Sequence, residues 1–116
     1  MIDEIATALQ RRTYRCSGEA ELQDAISSVL EAGFPGQVSR EHVLGRSDRV
    51  DFMVSGVAVE VKVGGSLAAL TRQVHRYAAH DTVTGVLVVT TRWYHGGLPE
   101  TLHGKPIGVL RVGVGL

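Results

Sequence analysis

The chain has 116 residues, which suits one domain with a modest core, and its 44% hydrophobic content is that of a soluble globular protein. A formal net charge of zero counts against a protein that holds nucleic acid by bulk charge, but leaves room for an enzyme with a local basic rim. A single cysteine, Cys16, excludes an internal disulfide, and the longest purely apolar run, Val86 to Val89, is far too short to span a membrane. With an acidic N-terminus that lacks a signal-peptide core, the expectation is a cytoplasmic protein with no membrane partner.

Residues 2 to 11 carry Ile2, Ile5, Ala6 and Leu9 at helical spacing, which predicts a short amphipathic helix. Thr13 to Gly18 reads as a connector. A second helix is predicted from Glu19 to Ala32, with Leu22, Ala25, Ile26, Val29 and Leu30 on one face and Gly33 as its stop. Glu21 lies in its first turn, where the helix dipole favours a carboxylate. Phe34-Pro35-Gly36 is a turn, Gln37 to Leu44 an edge-like strand, and Gly45 to Asp48 a loop.

Two strands follow, Val50 to Val54 and Val57 to Val63, separated by the turn dipeptide Ser55-Gly56. Ser66 caps a helix from Leu67 to about Ala79, with Leu67, Leu70, Val74, Tyr77 and Ala78 on one face. Gln73 and Tyr77 stack on the same side of it. Val86 to Thr91 is apolar throughout and suits a buried strand, reached by a helical crossover and so parallel to the last one. Trp93 to Gly97 reads as a loop, Pro99 to His103 as a helical turn, and Ile107 to Val112 as a last strand. The pattern is one domain over 1–116: an N-terminal helix and connector (1–18), a core (19–91), and a C-terminal loop and strand (92–116). Its class is α/β, a mixed sheet of four to five strands flanked by helices.

The hairpin organises this arrangement. A two-residue turn sets Val54 opposite Val57, Phe52 opposite Val59, and Asp51 opposite Glu60. Alternation then buries Phe52, Val54, Val57, Val59, Val61 and Val63, and gathers Asp51, Glu60 and Lys62 on the other face. Two opposed acids repel, so as a mere cross-strand charge cluster they carry a small penalty. Chemistry supplies a reason for them. Mg²⁺ takes oxygen ligands and keeps several waters, and a lysine can orient or deprotonate an attacking water.

The run RVDF followed by VEVK resembles the PD-(D/E)XK nuclease superfamily, in which an acid on one strand precedes Glu-x-Lys on the next. Gln73-Val74-His75-Arg76-Tyr77 resembles the Gln-x-x-x-Tyr motif of many members, including small virus-type and junction-resolving nucleases. Arg49-Val50 stands where the motif nominally has proline. The resemblance implies a restriction-endonuclease-like αβββαβ core over residues 19 to 91. It implies that Asp51, Glu60 and the Val61 carbonyl bind Mg²⁺ (Mn²⁺ substituting), with Glu21, or Glu19 next, as a further ligand. It implies that Lys62 orients the water and that Gln73 and Tyr77 support the site. The expected activity is metal-dependent cleavage of DNA, selective for branched, flap or nicked forms, because one small domain leaves no room for a separate recognition module. Arg46, Arg49, Arg72 and Arg76 are the candidate DNA contacts, and a homodimer is expected. The alternative is a catalytically silent nucleic-acid-binding or protein-interaction module of the same fold.

The five histidines, His42, His75, His80, His95 and His103, lack paired ligand spacing and read as surface or loop residues rather than a zinc site. Gly64 and Gly65 are not followed by Lys-Ser/Thr, so they make no phosphate-binding loop; they let a backbone, such as that of DNA, come close.

Overall fold

The valine-rich hairpin forms as the register requires. In the computed structural model, which describes residues 1–15 and 17–115, strand β3 (Asp48–Val54) pairs antiparallel with β4 (Val57–Lys62) through Phe52–Val59, Met53–Ala58 and Val54–Val57. Ser55 and Gly56 both take positive φ, 47° and 86°. That is the geometry of a two-residue hairpin turn whose twist matches the strands. Of the expectations above, Cys16 in the connector and Leu116 in the tail lie outside the described residues.

Around this hairpin the chain runs α1 (Ile2–Gln10), β1 (Tyr14–Arg15), α2 (Glu19–Gly33) and β2 (Val38–Leu44) before it. After it come α3 (Leu67–Ala78), β5 (Gly85–Thr90), a 3₁₀ turn (Trp93–Gly97), β6 (Thr101–Leu102), β7 (Lys105–Arg111) and β8 (Val114–Gly115). The main sheet has the order β2-β3-β4-β5-β7-β6. Its first three strands are antiparallel, β4, β5 and β7 run parallel, and β6 is antiparallel to β7.

The expected mixed α/β sheet flanked by helices is present, but it is larger than the four to five strands expected. It has six, and a separate parallel pair joins β1 to β8. The surplus comes from short segments with little periodicity. Tyr14–Arg15 lies inside the expected connector. Pro99 to His103 contains β6 rather than a helical turn, because His103 and Gly104 take positive φ and close a second two-residue hairpin. A two-residue strand is too short to leave an alternating signature.

The sheet is covered on both faces. On one, α1 and α2 lay Ile5, Leu9, Leu22, Ile26 and Leu30 over Phe52, Val54, Val57, Val59, Val61, Leu87 and Val89. On the other, α3 lays Leu70, Val74, Tyr77 and Ala78 over Met53, Ala58, Val86 and Val88. Every residue of β5 is buried, as its unbroken apolar run predicts. Ser66 caps α3 by accepting a hydrogen bond from the Ala69 N–H (3.1 Å).

Alternation breaks at one place. Val50 packs with the α3-side cluster although Phe52, two residues on, packs with the other. Beside this break, Glu41 of β2 has φ of 50°, and the β2–β3 ladder skips the Glu41–Asp51 pair. The β3–β4 ladder likewise ends at Phe52–Val59. Asp51 therefore sits where the sheet loses its backbone ladder on both sides.

Candidate active site

Where β3 and β4 part, their backbone N–H groups need new acceptors. Two carboxylates supply them. The Asp51 N–H donates to Glu60 Oε1 (3.1 Å), and the Val61 N–H donates to Asp51 Oδ2 (2.8 Å). Each acid thus satisfies the other strand, and the two carboxyl groups lie within hydrogen-bonding reach of one another. An extended residue directs its N–H and C=O to the same side, so the Val61 carbonyl also faces this gap.

Helix α3 closes the site from above the sheet. Gln73 Nε2 donates to Glu60 Oε2 (2.8 Å) and to the Tyr77 hydroxyl (2.8 Å). That hydroxyl stands 3.1 Å from Glu60 Oε2 and 3.0 Å from the Arg49 carbonyl, and its single proton can be given to either one. Lys62 Nζ lies 3.6 Å from Glu60 Oε2 and is about a quarter exposed. Lys62 and Gln73, with Gly64, Gly65, Ser66 and Arg76, line a cleft of about 160 Å³ over this ring.

Glu60 is 3% exposed. Burial, then the charge of Asp51, pushes its carboxyl up to about 7, against the Asp51 N–H, Lys62 and Tyr77, which favour the anion. Burial also raises Asp51, opposed chiefly by the Val61 N–H. Burial and the neighbouring Glu60 raise Tyr77, keeping it a phenol. Two adjacent acids both displaced upward hold protons more tightly than ordinary carboxyls, and together they are a place where added positive charge is favoured.

Asp51, Glu60, Lys62, Gln73 and Tyr77, and the Val61 backbone, are thus brought together. Glu21 is not. It is exposed at the start of α2, where its Oε2 accepts from the Ser17 N–H (3.0 Å) and Ser17 Oγ (2.7 Å), and these bonds lower its pKa. Glu19 is also exposed. Among the described residues no group of three or more His, Cys, Asp or Glu side chains could hold a metal, so the expected third carboxylate is missing. Arg46, Arg49 and Arg72 are exposed. Arg76 is exposed too, but its Nε is bound to Asp48 (3.1 Å), whose other oxygen meets His80 Nε2 at 2.9 Å. The His80 bond is the first cause of a lowered Asp48 pKa.

One histidine corrects the surface reading. His95 is fully buried, between Thr90 Oγ1 (Nδ1, 2.6 Å) and the Gly65 carbonyl (Nε2, 3.1 Å). The Gly65 carbonyl can only accept, so Nε2 carries a proton and donates to it. His95 is therefore a buried brace for the loop that follows Lys62. Nothing in its spacing announces this, because both partners become neighbours only in the fold.

Comparison with protein-family models, with curated proteins and with solved structures finds no match. What the fold and the site define is a mixed α/β protein with two adjacent carboxyls at the junction of parting strands, beside a lysine. No helix of the described residues is long and apolar enough to cross a membrane.

Proposed function

We propose that this protein is a metal-dependent nuclease of the restriction-endonuclease-like class, acting on DNA. The observation that carries the reading is the junction of Asp51 and Glu60 across the parting strands, with Lys62 against Glu60 and Gln73 and Tyr77 holding it. The run α2, β2, β3, β4, α3, β5 has the element order αβββαβ that the motif resemblance implies.

The donor set fits a hard divalent cation, which takes oxygen ligands: two carboxyl groups and a carbonyl are directed into one gap. When bound, Mg²⁺ would supply charge neutralisation at the scissile phosphate and a more acidic water. The chain's own residues do the rest. Asp51 and Glu60, with the Val61 carbonyl, would hold the ion, both acids as carboxylates. Gln73 and Tyr77 are positioning residues that fix the Glu60 carboxylate by two donated hydrogen bonds. Lys62, at the cleft, orients the attacking water and counters charge on the phosphate. The substrate is branched, flap or nicked DNA, held at Arg46, Arg49 and Arg72, with two copies pairing to reach a longer duplex.

Neutral net charge favours the alternative of a silent binding module. One assay separates the two. Wild type is incubated with Mg²⁺ or Mn²⁺ and linear, nicked, flap and four-way DNA, and with RNA. Cleavage by wild type that falls at least about a hundredfold in Asp51→Asn and Lys62→Ala is expected. Wild type that cuts none of these substrates refutes the nuclease.

A further inference from the structure

We propose that the carboxyl edge of the parallel strands is a ledge for a DNA strand with unpaired bases, and that Trp93 stacks on one of them. The proposal deepens the nuclease reading and rests on it for the direction in which the strand leads. Trp93 is the only tryptophan of the chain and is 75% exposed. A ring of that size left in water gains by covering, and a flat base face covers it well.

The ring sits on a braced backbone. Of its neighbours, Arg92 donates through Nε to the Val63 carbonyl (2.8 Å), Tyr94 donates to the Gly65 carbonyl (3.1 Å), and the buried His95 donates to the same carbonyl. The 3₁₀ turn is thereby tied to the loop that leaves Lys62 and borders the catalytic cleft. A platform fixed in this way loses little freedom when a ligand arrives.

The surroundings suit a nucleic-acid strand. Lys62, Thr90 and Arg111 are in register across β4, β5 and β7, so Lys62 and Arg111 lie two strand spacings apart, about 10 Å. Arg92 and Arg111 are both exposed. A Cβ at Gly64 or at Gly96 would meet nothing within 4 Å, and neither has the positive φ that demands glycine. The fold does not require these two glycines, and their effect is to let a bulky chain lie close. Cations interleaved with an aromatic face are what bind single strands without reading sequence. In a continuous duplex the base faces are already stacked, so Trp93 selects unpaired bases.

The lone tryptophan makes its own probe. Wild type in EDTA, which prevents cutting, is titrated with a twelve-nucleotide oligo(dT) and with a blunt hairpin duplex of the same charge, closed by a non-nucleotide linker so that it has no unpaired bases, and Trp93 emission is followed. Saturable quenching by the oligo(dT) and little by the hairpin is expected. Labelled oligo(dT) should bind Trp93→Ala roughly tenfold more weakly, with Trp93→Phe between the two, and Arg111→Gln should flatten the salt dependence by about 0.7 in log–log slope. Quenching that is absent, or equal for the hairpin, overturns the ledge, as does oligo(dT) binding unchanged in Trp93→Ala. Cleavage without quenching would leave the nuclease standing and the ledge refuted. Quenching without cleavage under any metal would do the reverse.

Discussion

The upward displacement of Asp51 and Glu60 has a consequence for stability that can be measured without any substrate. An acid raised on folding makes the native state bind a proton that the unfolded chain has released, so stability falls as pH rises through the window between the two values. For Glu60 that window runs from 4.5 to about 7, and a displacement of that size is worth about 3 kcal/mol, fully felt above pH 7. The raised Asp51 adds in the same direction, and the two titrate as a pair. The lowered Asp48 acts oppositely, losing its contribution only as pH falls below its ordinary 3.8, outside the window. In Glu60→Gln the penalty disappears. An amide must, however, put its nitrogen where one of the two oxygens stood, so one donor among Asp51 N–H, Gln73 and Tyr77 loses its acceptor, at about 1 kcal/mol. The substitution should therefore be nearly neutral at pH 5, where about 0.8 kcal/mol of the penalty is already felt and offsets the lost hydrogen bond, and should stabilise by about 2 kcal/mol at pH 8. Urea unfolding followed by far-ultraviolet circular dichroism at pH 5, 6, 7 and 8, without divalent metal, measures both. A difference of the same sign and size at all four values would refute the upward displacement of Glu60 and the reason given for two acids at one junction.

Two further outcomes follow from the same geometry. At pH 8 in the metal-free protein, Mg²⁺ at a hundred times its dissociation constant should raise stability by about 2.7 kcal/mol, and chelation should reverse it. Asp51→Asn and Glu60→Gln should lose the gain, and a thermal melt with and without Mg²⁺ reads it directly. His95→Leu should cost about 2 kcal/mol or more in urea unfolding, because the Thr90 hydroxyl and the Gly65 carbonyl both lose a partner away from water. It should also slow cleavage by loosening the loop after Lys62, whereas His42→Leu should leave both unchanged.

The parts of this fold that were legible are those with a period. The α2 stripe of Leu22, Ile26 and Leu30, the Ser66 cap, the buried β5 and the Ser55-Gly56 turn each leave a local pattern that tertiary contacts then reinforce. The pairing of Asp51 with Glu60 and the Gln73–Tyr77 side of α3 follow from turn length and helix spacing alone. What stayed hidden depends on chain segments far apart. β1 and β8 pair across nearly the whole sequence. His95 is read as a surface residue until Thr90 and Gly65 close on it. Glu21 is assigned to the site by the motif resemblance alone, and α2 packs on the sheet face opposite α3, where the exposed Glu21 carboxylate accepts from Ser17 instead.

The break in the sheet at Asp51 is the instructive case. Register arithmetic places Asp51 opposite Glu60 as an ordinary ladder pair, and an ordinary pair would set like charges side by side with nothing to hold. Instead the ladder stops one pair short, Glu41 takes positive φ beside it, and the carboxylates bind the orphaned N–H groups. Those bonds fix both acids while burial and their closeness make each harder to ionise. Continuous backbone pairing here would make the hairpin more stable and would leave no gap toward which the Val61 carbonyl could turn. The site is therefore made by the sheet's failure to pair, and any substitution that restores alternation at Asp51 should stabilise the fold while removing the place proposed for a cation.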